Sequence, residues 1–181
     1  ARQMTQNALN RRSFLVAGAA ALSTSLIVPA QAQAATAPSG LYLVNYRTGE
    51  TYNRVFYDGK RLIQSALDEF DWFARDWREG KAVRMSRDTM FIAADLQRRY
   101  GDRKMALISG YRTAKTNHKL TGAAKHSYHM KGMAFDLTMP GISSSRLYHT
   151  AWSNIHQGGV GKYTKSNFVH VDSGPVRTWG S

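Results

Sequence analysis

The sequence predicts an α+β domain: helices flanking a small antiparallel sheet. Segments of alternating apolar and polar residues stand at both ends of the folded part, and two segments of helical periodicity lie between them. Strands come first, then helices, then more strands, without the regular β-α-β alternation of a parallel sheet. A long polar stretch rich in Lys, His and Gly (113–132) separates the two halves.

Residues 35–40, "ATAPSG", read as a flexible lead-in. "LYLVNYRTGETYNRVFY" (41–57) alternates around Arg47-Thr48-Gly49-Glu50 in the pattern of a β-hairpin, closed by Asp58-Gly59. From Leu62 to Arg78 the residues Ile63, Ala66, Leu67, Phe70, Phe73, Ala74 and Trp77 recur at helical spacing, and Gly80 ends the run. A second helix is expected after Ser86, a good N-cap, through Met90, Ile92, Ala93 and Leu96 to Tyr100. "KMALISGYR" (104–112) reads as a buried strand ending in a turn, and 113–132 as a surface loop returning at the strand "MAFDLTM" (133–139). Ser143 to Ser145 cap a helix expected to reach His156, Gly158 to Gly161 form a turn, "NFVHVD" (167–172) is a last strand, and "SGPVRTWGS" a C-terminal turn.

Residues 1–34 are a different kind of segment. Arg11 and Arg12 precede a weakly apolar run from Ser13 to Val28, and the small residues at Ala30, Ala32 and Ala34 twice fit an A-x-A cleavage pattern. A basic stretch, an apolar stretch and a small-residue site define an export signal, and paired arginines point to the twin-arginine (Tat) route. The run of 16 residues falls short of the roughly 20 needed to span a bilayer. Cleavage would leave a chain starting at Gln33 or Ala35; an uncleaved anchor is the alternative. The folded part, 41–181, is the size of one domain with one core.

The chain has no cysteine, which excludes disulfides, thiolate nucleophiles and Cys-ligated metals. Its formal charge is +13, and the first 34 residues hold only three of the 25 basic residues and none of the 12 acidic ones, so the rest remains strongly basic. Such charge suits a polyanion. Export argues against nucleic acid and favours the anionic glycans, carboxylated peptides and headgroups of the cell envelope.

Against that basic background, the carboxylates after Asp102 are Asp136 and Asp172 alone, each close to a histidine. A hydrolytic zinc takes three His or carboxylate ligands and keeps one position for water. His129 ends the polar loop, Asp136 lies in the strand that follows, and His170 lies on a later strand. Alternation puts Phe168, His170 and Asp172 on one face of that strand and Val169 and Val171 on the other. His129, Asp136 and His170 can therefore supply two imidazoles and a carboxylate from neighbouring elements. His118 and the pair His149 and His156 read as surface or core-edge residues.

Four segments in order, "SGYR" (109–112), "SYHMKGMAFD" (127–136), "GGVG" (158–161) and "FVHVDSGPVRTW" (168–179), resemble the zinc murein endopeptidases of the MepK (YcbK-like) group. That group belongs with the D-Ala-D-Ala metallopeptidases of the hedgehog/DD-peptidase fold. The resemblance runs from about Leu41 to Trp179 and rests on the pattern S-x-H-x-x-G-x-A-x-D plus a distant histidine, matched by Ser127, His129, Gly132, Ala134, Asp136 and His170. It implies Zn2+ held by His129, Asp136 and His170. It also implies an arginine, Arg112, that offsets charge on the attacked carbonyl, and a substrate hydrogen bond from Ser127, whose hydroxyl could equally serve its own turn.

One position departs from the family. Many relatives carry a glutamate base three residues before the last histidine, where this chain has Asn167. The base role is then open among Asp172, on the face of His170, His126, whose imidazole suits base chemistry near neutrality, and a residue elsewhere in the chain. The alternative role for Asp172 is to orient a ligand histidine. The export signal implies a periplasmic enzyme with no stable membrane insertion after cleavage, expected to be a monomer, and the resemblance implies hydrolysis of peptide cross-links between peptidoglycan stem peptides. A carboxypeptidase of the same fold, or a catalytically silent zinc-containing envelope-binding module, stands as the alternative.

Overall fold

The computed structural model describes residues 37–154 and 157–180. The twin-arginine segment, its cleavage sites and His156 lie outside the described residues. No helix among those described is long and apolar enough to cross a membrane.

The hairpin forms as its alternation requires. Strands β1 (Ser39–Asn45) and β2 (Thr51–Tyr57) pair antiparallel, with Leu43 opposite Tyr52. Asn45 makes the turn: its side-chain oxygen accepts from the amides of Arg47 and Thr48 at 2.9 and 3.2 Å. Helix α1 (Gln64–Phe73) buries Ala66, Leu67, Phe70 and Phe73. It ends five residues before the Arg78 that periodicity suggests. Beyond Ala74 the backbone folds into an Asp76–Lys81 bridge around Gly80, at φ 61°. Trp77, which fits the apolar stripe, is left 41% exposed there. Helix α2 (Arg87–Arg98) starts where expected, with the Ser86 hydroxyl accepting from the Thr89 amide.

Strand β3 (Met105–Ser109) leads into the stretch expected to be loop. That stretch holds a short helix, α3 (Ala114–Lys119), capped by Thr113, and a 3-10 turn at Tyr128–Lys131, capped by Ser127. Strand β4 (Ala134–Thr138) and helix α4 (Ser144–Asn154) follow. The glycines expected to make a turn instead open strand β5 (Gly159–Tyr163). After β6 (Phe168–Asp172), the expected C-terminal turn carries a further strand, β7 (Arg177–Gly180).

The sheet is larger than expected and mixed rather than antiparallel: seven strands in the order β2-β1-β3-β4-β6-β5-β7, with β1 parallel to β3 and β5 parallel to β7. The hairpin reverses the chain once and the two-helix connection from β2 reverses it again, so β3 lies beside β1 in β1's own direction. Strands β4 and β6 lie inside the sheet with Asp136 directly opposite His170. Their neighbours Phe135, Leu137, Val169 and Val171 point into the core and are fully buried. Phe135 meets Phe70 edge to face at 5.4 Å, and Phe70 meets Tyr52 at 5.0 Å. Each such ring contributes about 2 to 3 kcal/mol by leaving water. That packing locks the register that turns Asp136, His170 and Asp172 to the other face.

Candidate metal centre

Three buried ligand atoms converge on that face. Asp136 Oδ1 lies 3.1 Å from His129 Nε2 and 2.9 Å from His170 Nδ1, and the two nitrogens are 3.2 Å apart. Around a tetrahedral zinc with bonds near 2.0–2.1 Å, neighbouring ligand atoms stand about 3.3 Å apart. The described residues that can hold a metal are this set.

The far side of each ring fixes its tautomer. His129 Nδ1 donates to the Gly110 carbonyl at 2.7 Å, which leaves Nε2 a bare lone pair. His170 Nε2 donates to Asp172 Oδ2 at 2.9 Å, so in the neutral ring the lone pair is on Nδ1. Two imidazole lone pairs and a carboxylate oxygen then face one another out of water, an arrangement that calls for a cation. Burial would lower the pKa of His170, yet its bonds to Asp136 and Asp172 outweigh burial and raise it. At His129 burial prevails and the pKa falls. Burial would raise Asp136, but the two imidazoles hold its carboxyl far below the usual range, so it is ionised. The donor set of two imidazoles and one carboxylate fits zinc.

Local sequence explains how each ligand arrives. Gly110 is glycine because a Cβ would run into the carbonyl and side chain of Ala74. That close approach sets the Gly110 carbonyl where His129 needs it. Ser127 accepts from the His129 amide at 3.3 Å, and Gly132, at φ 67°, closes the same turn. Arg112 lies beside the triad: its Nη2 pairs with the second oxygen of Asp136, its Nε donates to Ser109 Oγ at 2.7 Å, and its amide donates to the His129 carbonyl at 3.2 Å. Of the ligand, arginine and serine candidates read from the sequence, all five sit together.

The two candidate bases do not share one fate. His126 stands exposed on the loop before the 3-10 turn. Asp172 is fully buried, and both of its oxygens are occupied. Oδ2 takes His170 and Arg177 Nη2 (2.7 Å); Oδ1 takes Arg177 Nη1 (3.0 Å) and the amides of Gly174 (2.8 Å) and Gly159 (3.2 Å). Burial would raise its pKa, but His170, Arg177 and the Gly174 amide together push it far below the usual carboxylate value. Asn167 adopts φ 49° and turns its side-chain oxygen to the Ser144 amide at the start of α4, at 2.9 Å. His118 and His149 are exposed and outside the triad.

Sequence reasoning missed Arg177 and Trp179. Arg177 reaches Asp172 from β7 and lies between the rings of Tyr128 and Trp179, 4.9 and 4.8 Å from their centroids. Trp179 stands 5.1 Å from the His170 ring and donates to the Tyr163 hydroxyl at 2.9 Å. Period-2 alternation of Arg177 and Trp179 was the available signal, in a strand only four residues long.

An α+β domain with a buried His–Asp–His set beside a fixed guanidinium has the makings of a metal-dependent hydrolase. The comparisons with known proteins agree on the class and narrow it. A model of an M15 peptidase family, described as "Peptidoglycan L,D-endopeptidase MepK", matches residues 33–179, and the chain belongs to that family. It is 41% identical over 177 residues to the peptidoglycan L,D-endopeptidase MepK of Escherichia coli (strain K12), covering 94% of this chain and 97% of that protein. It is 34% identical over 178 residues to the probable peptidoglycan L,D-endopeptidase MepK of Haemophilus influenzae, covering 94% and 95%.

Proposed function

We propose that the chain is a zinc-dependent peptidoglycan L,D-endopeptidase that hydrolyses cross-links between stem peptides, among them those involving meso-diaminopimelate. The observation that carries this is the convergence of three buried ligand atoms, 2.9–3.2 Å apart, beside Arg112. Family membership supports the activity, and supports assigning the domain to the hedgehog/DD-peptidase fold. The E. coli and H. influenzae relatives are named as endopeptidases, which favours cross-link cleavage over trimming of terminal D-alanine.

His129, Asp136 and His170 would hold the ion, which when bound supplies a Lewis acid and an activated water. Attack on an amide builds negative charge on its oxygen. The Arg112 guanidinium, only 15% exposed and braced by Ser109, is placed to offset that charge. Asp172 is a poor base, since every strong donor around it stabilises its ionised form. Its role in this proposal is to hold the His170 tautomer, with Arg177 holding Asp172 in turn. His126 keeps an uncommitted imidazole and is the candidate for proton transfer. Ser127 serves the turn beneath His129, and the proposal keeps its hydroxyl as a hydrogen-bonding group for substrate.

A zinc-containing binding module without activity drew its support from Asn167. The cap that Asn167 provides to α4 gives that residue a structural reason of its own. The proposal includes a monomeric enzyme working outside the cytoplasm, delivered to the periplasm by the twin-arginine segment. Digestion of isolated murein by the zinc-loaded protein, with products identified by mass, tests it. Monomeric muropeptides released from cross-linked ones are expected. Loss of terminal D-alanine alone would mark a carboxypeptidase, and no product a silent module.

A further inference from the structure

None of the four tryptophans is buried, although an indole is among the most profitable side chains to bury. Two of them, Trp72 (54% exposed) and Trp77 (41% exposed), belong to one run, residues 72–84, that the proposed mechanism does not use. Each carries a guanidinium over its ring. Arg75 lies 4.3 Å from the Trp72 centroid and Arg78 lies 4.4 Å from the Trp77 centroid. A cation stacked on one side holds each indole as a flat plate.

The carboxylates of this run are engaged within the fold. Asp76 is buried and accepts from the amide and hydroxyl of Thr113, both at 2.9 Å; Glu79 pairs with Lys115 at 2.9 Å; and Arg75 is matched by Glu50. Arg78, Lys81 and Arg84 are exposed and make no ion pair among the described residues. The strip therefore presents aromatic plates together with uncompensated positive charge.

Its position is tied to the metal centre on two sides. The Ala74 carbonyl accepts from the Tyr111 amide at 2.8 Å, Asp76 holds Thr113 and Glu79 holds Lys115, so residues 74–79 run alongside the segment that carries Arg112. Further on, the Arg84 carbonyl abuts Gly132, and the Ser86 amide donates to the Gly132 carbonyl at 2.7 Å. Gly132 closes the turn that bears His129.

We propose that residues 72–84 form a docking strip for the glycan strand of the substrate, beside the peptide cleft. Sugar rings offer flat C–H faces that stack on indoles, and the carboxylates spaced along a peptidoglycan strand meet Arg78, Lys81 and Arg84. The proposal rests on the peptidoglycan function argued above. An anionic lipid surface shares the charge chemistry, and adjacency to the catalytic face is what favours the glycan.

The test uses the full zinc-loaded protein and two surface variants, Trp72→Ala with Trp77→Ala, and Arg78→Gln with Lys81→Gln. Each is assayed on intact murein and on a soluble cross-linked stem-peptide dimer without glycan, with melting temperature as the check on folding. The tryptophan variant is expected to cut the soluble dimer like the wild type, yet to need roughly tenfold more murein for half-maximal rate, the worth of two aromatic contacts. The charge variant is expected to lose much of the salt sensitivity that the wild type shows on murein. Equal loss on both substrates, or no loss on murein, overturns the strip. So does lost binding to anionic phospholipid vesicles with murein cleavage intact. A wild type that cuts neither substrate indicts the endopeptidase function instead, and co-sedimentation with murein then decides: equal binding by wild type and tryptophan variant overturns the strip as well.

Discussion

Asp172 shows how far one carboxylate's role depends on its partners. Two backbone amides, a bidentate guanidinium and an imidazole N–H all favour its ionised form. Asp172→Asn is therefore expected to weaken zinc affinity by about 10- to 100-fold, the usual worth of a carboxylate behind a ligand histidine. Excess zinc should restore much of the rate. Chelator competition and a zinc-dependent activity series measure both; a rate that stays low at saturating zinc would return the base role to Asp172. His126→Ala, by contrast, should keep zinc content and lose rate. At Asn167 a restored family glutamate is expected to bring no gain. Asn167→Glu removes the hydrogen bond to Ser144 and puts a longer side chain at φ 49°, which asparagine tolerates better. A loss of about 1 kcal/mol in thermal or urea unfolding, with no rise in turnover, is the expected result. Spacing and strand alternation made His129, Asp136 and His170 candidate ligands, and the resemblance to the MepK group singled them out. The groups behind them were not legible in the sequence, since Gly110 meets His129, and Arg177 meets Asp172 behind His170, only through pairing between strands and loops.

Glycines mark where elements were hardest to read. Gly159 and Gly161 carry the commonest turn signal, and they form a lane in β5 across which the side chains of β7 lie. A Cβ at Gly161 would fall 2.5 Å from the Trp179 ring, and one at Gly159 would fall 2.6 Å from Asp172 Oδ2. Glycine here serves close approach and leaves room for the clamp on Asp172. Gly161→Ala is expected to displace β7, lowering both the melting temperature and zinc retention, whereas Gly49→Ala, with nothing near its missing Cβ, should affect stability alone. Equal zinc retention in the two variants would separate β7 from the metal centre. The same reasoning explains the other element-level differences. Helix α3, at six residues, is too short to show a period, and α1 ends early because a buried Asp76 binds Thr113 more profitably than a further helical turn would bury Trp77.

At the scale of the molecule, bulk charge and composition bounded the partner class, and the order of strands and helices gave the α+β architecture. The mixed sheet was out of reach, because parallel pairing of β5 with β7 depends on contacts between segments with no periodicity of their own. The proposed delivery route concerns the whole chain as well. Arg11→Lys with Arg12→Lys should hold the precursor in the cytoplasm, read by fractionation, and unchanged periplasmic delivery would mean another route. The centre and its chemistry meet in one titration. Chelator-stripped protein is given increasing zinc while fragments released from isolated murein are counted. The rate should rise and saturate at one equivalent per chain, and Asp136→Ala should stay at background throughout. Full activity in the stripped protein, or saturation of Asp136→Ala at the same equivalent, would contradict a zinc centre built from His129, Asp136 and His170.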